Sequence, residues 1–129
     1  MRTTVLLAAC LVASFAYAAQ VRERDVAWIA PPEAASKQNP LAGQADVVAG
    51  GRKLFHQRCV SCHNKDARGT SKGPDLTDEA VQEQTDGALF WKVTSGNSHA
   101  GMPAFSFLPE PQRWQVVLAI RDLAHSVGR

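Results

Sequence analysis

Cys59 and Cys62 place two thiols three positions apart, and His63 puts an imidazole directly after the second. Each residue type has a separate job in a single chemistry. Two thiols on one turn of backbone can add to the two vinyl groups of a porphyrin as thioethers, and the histidine that follows can ligate the central iron from one face. C-x-x-C-H is the attachment signature of a covalently bound c-type haem. A redox dithiol of the thioredoxin kind would need a preceding strand and a βαβ pattern, and neither is visible. Structural zinc would need about four ligands, and the remaining cysteine, Cys10, lies in a segment expected to be removed.

An iron held by His63 on one face needs a second ligand or keeps the other face open, and that choice separates an electron carrier from an enzyme or sensor. Met102 stands in the run Gly101, Met102, Pro103, Ala104, Phe105, where a proline and an irregular loop can hold a thioether against iron. The only other methionine is Met1. His99, three residues earlier in the same loop, is the rival ligand, and a solvated loop histidine is its simpler reading. His56 and His125 fall on expected helices and read as surface or packing residues.

The N-terminus carries Arg2, then an apolar run from Val5 to Ala19 that closes on Ala16, Tyr17, Ala18, the small-x-small pattern of a cleavable secretory signal. Residues 1–19 are therefore read as a signal peptide. A retained anchor is the alternative, but the run is about 15 residues where a spanning helix needs about 20. Leu7, Ala8, Ala9, Cys10 also matches a lipoprotein box, which would lipidate Cys10, although the apolar stretch before it is short. Export agrees with the haem motif, since bacterial c-type attachment is expected outside the cytoplasmic membrane, and the expected location is the periplasm. Of 14 basic and 12 acidic residues the signal removes only Arg2, so the mature chain is nearly neutral. No strongly basic face calls for nucleic acid. About 110 residues then remain, enough for one domain.

Residues 20–44 hold Pro31, Pro32, Pro40 and Gly43 and show no sustained period, so they read as an extended arm or linker ahead of a domain at 45–129. Trp28 and Ile29 are apolar enough to dock this arm, with a mobile tail as the alternative. A helix is expected from Asp46, as cap, to about Gln57, with Gly51 and Phe55 at i, i+4 suited to a close helix crossing. After a polar loop over 64–75, Thr77 can cap a short helix over 78–84, and Asp86 a further helix ended near Gly96. Residues 97–111 should be irregular, and Pro111 suits the first turn of a last helix running to about Ser126. No strand pattern is visible, so the fold class is all-α. A core of about 85 residues is small for independent stability, and a buried haem would supply much of the missing apolar contact.

In this order of features the chain resembles the single-haem class I cytochromes c of the short soluble bacterial kind. The matching residues are Gly51 with Phe55, Cys59 to His63, Gly73-Pro74-Asp75-Leu76, the Met102-Pro103 loop, and a closing helix with Ile120, Arg121 and Leu123. The resemblance covers Asp46 to about Ala124. It implies the class I cytochrome c fold, a few helices wrapped around one covalently bound haem c. It further implies thioethers at Cys59 and Cys62, axial ligands at His63 and Met102, and a Pro74 carbonyl that takes the outer nitrogen of His63. One departure is Ala119, where the family's last helix carries an aromatic, so the crossing of first and last helices would lean on Trp114 or another residue.

Six-coordinate iron with two protein ligands gains or loses one electron with little rearrangement, so electron transfer rather than catalysis is expected. The expected partners are redox proteins: a dehydrogenase or membrane complex as donor, and a terminal oxidase or reductase as acceptor. The mature protein would be a monomer or a subunit, with no stable membrane insertion. Two other readings stand beside this one: a dedicated haem subunit of a larger oxidoreductase, or a sensor or weak peroxidase if Met102 detaches. Arg52, Lys53, Arg58, Lys65, Arg68 and Lys72 flank the haem motif against Asp66 alone, a basic rim that could steer an acidic partner, or a mixed solvated surface.

Overall fold

The structure, a computed structural model, describes residues 28–127. The expected signal peptide over residues 1–19, with the lipidation alternative at Cys10, and the first part of the arm lie outside the described residues. Those described form α1 (Pro32–Ala35), α2 (Ala45–Arg58), α3 (Val60–His63), α4 (Glu79–Gln82), α5 (Asp86–Ser95) and α6 (Glu110–Val127), with a 3-10 turn over Ser98–Ala100 between α5 and α6. Among them there is no strand, only isolated bridges between Thr70 and Gly73 and between Asn97 and Met102. The all-α class expected from the sequence is what the chain forms. No helix among the described residues is long and apolar enough to cross a membrane.

The helix starts show where local chemistry decides. Asp46, expected as a cap, lies inside the first turn of α2, where its charge favours the helix dipole; the capping position is Gln44, which makes no side-chain cap bond. At α4 the cap is Asp78 rather than Thr77, accepting from the Ala80 N–H at 3.2 Å. Thr77 is engaged instead by the Asp75 carboxylate. At α5 the cap is Thr85 rather than Asp86: its Oγ1 accepts from the Ala88 N–H at 3.1 Å and donates to the Ala35 carbonyl at 2.6 Å. Asp86 is thereby freed to pair with Arg121 of α6 at 2.9 Å.

α2 and α6 cross with almost nothing between their backbones. A Cβ on Gly51 would stand 2.0 Å from the Gln115 carbonyl oxygen and 3.3 Å from the Ala119 Cβ, so only glycine fits there. Ala119 is fully buried. The crossing thus relies on two small residues that let the helices approach, not on an aromatic. Trp114 is turned elsewhere: it stacks on Phe90 of α5 with ring centroids 3.9 Å apart and donates to Glu110 Oε1. Phe55, Leu89, Val93, Phe105, Val117, Ile120 and Leu123 fill the core around these contacts. Arg121 ties α6 to the segment between α4 and α5 through the carbonyls of Gln82 and Gln84 as well as through Asp86.

Residues 28–44, read from sequence as an extended arm, carry α1 and lie along α5 in the described structure. Pro31 and Pro32 open α1, where their missing N–H groups cost nothing. Gly87 permits the contact, since a Cβ there would meet the Ala34 oxygen at 2.3 Å. Ala30 and Asn39 are buried, and Asn39 Nδ2 donates to the Trp114 carbonyl at 3.4 Å. Trp28 docks on the domain, whereas Ile29 remains 63% exposed.

Candidate functional site

The carbonyls of Phe55 and Cys59 carry the chain from α2 into α3, accepting from the N–H groups of Cys59 and His63 at 2.8 and 2.9 Å. This one-turn helix buries the imidazole of His63, which is 8% exposed. Its Nδ1 lies 2.9 Å from the Pro74 carbonyl oxygen. A carbonyl can only accept, so the proton resides on Nδ1 and the lone pair on Nε2 is left for a metal. The loop that delivers Pro74 is fixed by two backbone bonds and one threonine hydroxyl. Gly69 N–H donates to the His63 carbonyl at 2.9 Å, Leu76 N–H to Ala67 at 2.7 Å, and Thr70 Oγ1 to the Cys62 carbonyl at 2.7 Å. Gly73 sits against the imidazole: a Cβ there would be 3.1 Å from His63 Cε1.

Met102 is held by a different device. Its N–H and carbonyl exchange hydrogen bonds of 2.9 Å each with Asn97. The chain leaves α5 through Gly96 at φ +64°, so close to the returning strand of loop that a Cβ would meet Ala104 N at 2.5 Å. Phe105 N–H then donates to the Val93 carbonyl at 3.1 Å, which returns the loop to the core.

Cys59, Cys62, His63, Pro74 and Met102 all line one cavity of about 350 Å³, whose apolar wall includes Phe55, Leu89, Val93, Phe105, Val116 and Ile120. His99 does not line it and is exposed, as are His56 and His125. No disulfide joins Cys59 to Cys62. Burial, reinforced by the neighbouring Cys62, pushes the Cys59 thiol up to about 11. That direction is opposite to the lowered value a reactive dithiol needs, and no strand precedes the pair among the described residues, as a thioredoxin-like motif would require. No group of three or more potential zinc-ligating side chains exists among the described residues. The side chains brought together fit a covalently held haem. They offer two thiols for thioethers, a histidine with Nε2 unengaged and a thioether sulfur, around an apolar cavity where even a methyl on Gly73 would crowd the imidazole.

Trp28, Gln84 and Lys92 also line this cavity and were not foreseen as site residues. A tryptophan in a segment rich in proline and alanine was the available signal for the first. Burial lowers the Lys92 ammonium below its ordinary value, and its Nζ lies 4.5 Å from the centre of the Trp28 ring.

A helical domain closed by a Gly51–Ala119 crossing, with this donor set around one cavity, is a single-haem class I cytochrome c domain. Within that class the chain belongs to the family described as cytochrome c oxidase, cbb3-type, subunit III, whose model matches residues 46–118. It is also similar to the cbb3-type cytochrome c oxidase subunit FixP of Bradyrhizobium sp. (strain ORS 278), with 29% identity over 83 residues. That match covers 63% of this chain and only 28% of the relative, so the chain spans little more than a quarter of that protein's length. The cofactor is haem c, and the function is haem-based electron transfer.

Proposed function

We propose that the protein is a one-electron carrier on the outer side of the cytoplasmic membrane. In this reading Cys59 and Cys62 would hold haem c through thioethers, and His63 Nε2 and Met102 Sδ would ligate its iron. The observation that carries the reading is the shared cavity of these four side chains, with the Nδ1–H of His63 already committed to Pro74. Haem c, when bound, supplies reversible one-electron chemistry. The chain's residues set its conditions. The Pro74 carbonyl fixes the imidazole plane and makes Nε2 a better donor. The Met102 thioether favours a positive potential relative to a second histidine. The apolar wall excludes water.

The test is the absorption of the oxidised holoprotein. A long-wavelength charge-transfer band from thioether sulfur to iron should survive His99→Ala and vanish in Met102→Ala. A band lost in His99→Ala, or kept in Met102→Ala, overturns the ligand assignment. Carbon monoxide binding to the native reduced protein would turn the reading toward a sensor or weak peroxidase.

The donor would be a dehydrogenase or membrane complex and the acceptor a terminal oxidase or reductase. Arg58 and Lys72 line the cavity, with further bases at Lys65 and Arg68, a rim suited to an acidic partner. Association rates should fall with added salt; salt-independent rates remove the steering. A second reading is favoured by the family match: the chain serves as a fixed haem subunit of an oxidase-type complex rather than a free carrier. Co-purification of the native protein with other oxidase subunits would support it, and recovery as a lone small protein would support the carrier.

A further inference from the structure

We infer that Trp28 is a positioning residue for the loop that carries Met102, delivered by a segment outside residues 46–118 that the family model matches. The inference rests on Met102 ligation. The indole Nε1–H donates to the Gly96 carbonyl at 2.8 Å. That carbonyl belongs to the same peptide unit as the Asn97 N–H, which donates to the Met102 carbonyl at 2.9 Å. One rigid peptide plane therefore receives Trp28 at its oxygen end and grips Met102 at its nitrogen end. Hydrogen bonds in series polarise one another, so a donor at the oxygen strengthens the bond made by the N–H.

The support behind Trp28 is fixed rather than loose. Thr85 Oγ1 holds the Ala35 carbonyl, Asn39 holds α6 through the Trp114 carbonyl, and Lys92 lies over the indole ring. The loop has little else to hold it. Met102 is half-buried, its neighbours Gly101, Pro103 and Ala104 are exposed, and the next backbone tie is Phe105 to Val93. Without Trp28 the Gly96–Asn97 peptide is fixed at one end only, and the thioether leaves the iron more readily.

The experiment uses the purified holoprotein and compares wild type with Trp28→Phe, which keeps a ring and loses the donor, and Trp28→Ala. Arg52→Ala, which breaks a surface pair with Asp122 on the far crossing, is the control. Two quantities are read: amide exchange at Asn97 and Met102, and the affinity of added imidazole for the oxidised iron, followed by loss of the thioether band. Trp28→Phe should raise both by roughly two- to tenfold, the range one neutral hydrogen bond supplies. Trp28→Ala should raise them further, and Arg52→Ala should leave both unchanged. A thioether band in wild type together with unchanged values in Trp28→Phe overturns the inference alone. So does a Trp28→Phe variant whose exchange rises as much along α6 as at Asn97, because that is general loosening. Absence of the band in wild type overturns the ligation reading, and this inference with it.

Discussion

The two sides of the haem cavity are built on different principles. His63 sits on a helical turn continuous with α2, is buried, and is boxed by a loop that bonds onto α3 through the Gly69 N–H, the Thr70 hydroxyl and the Pro74 carbonyl. Met102 sits on a half-exposed loop held by one reciprocal pair with Asn97, by the local turn over Ser98–Ala100, by Gly96, by the Phe105 bond to Val93, and by an indole from a distant segment. The first side is over-determined; the second hangs on a few groups. A cavity with this asymmetry should hold its histidine side under perturbation and yield first on its methionine side.

The sharpest way to break that comparison is a pair of glycine variants. Gly96 at φ +64° and Gly69 at φ +82° both face backbone at under 3 Å from any added Cβ. Each alanine substitution should lower stability by about 2–4 kcal/mol in denaturant unfolding. Only Gly96→Ala should also erase the thioether band, since Gly69 lies on the histidine side. Equal loss of the band in Gly69→Ala would show the two sides to be coupled.

A smaller effect is expected from Gly73→Ala. The added methyl would meet Cys62 O at 3.0 Å and His63 Cε1 at 3.1 Å, so the imidazole must give by a few tenths of an ångström. The cost should be about 1 kcal/mol, with displaced His63 ring resonances in the NMR spectrum while the thioether band persists. An unmoved ring would mean that the loop, not the histidine, is the softer partner.

The smallest effect concerns acid. The Thr77 hydroxyl, then its N–H and the charge of Arg68, hold the Asp75 carboxyl below its ordinary 3.8. A lowered carboxyl contributes stability above the ordinary carboxylate range and loses it as pH falls through the folded value. Thr77→Val should move the Asp75 titration upward by NMR. The stability deficit should be present at neutral pH and vanish in strong acid, with the Met102 side unaffected.

Much of the histidine side was legible because its chemistry is contiguous: Cys59 to His63 is one pentapeptide, and Pro74 follows in a glycine-bearing loop. α2, α5 and α6 were legible from their periodicity, and Gly51 with Phe55 announced a close crossing. Which residue met Gly51 was not legible. Ala119 looked like a missing aromatic, and only the geometry shows that two small residues replace bulk by proximity. The caps were displaced because Thr77 is engaged by Asp75 two residues before it and Asp86 found a tertiary partner in Arg121. The segment around α1 defeated periodicity altogether. Its order comes from single contacts at Trp28, Ala30, Asn39 and Thr85, and such contacts leave no repeat in a sequence.

The Gly51 crossing also bears on how the molecule fluctuates. Where helices touch through side chains, partial rotamer changes allow graded loosening; where a carbonyl lies against a glycine Cα, the joint is either made or lost. The ends of the domain should therefore part only in global unfolding, so α2 and α6 amides should exchange at that limit. Lesser openings would be confined to the segment from Gly96 to Pro103, which leaves the haem cradle intact while its methionine wall breathes.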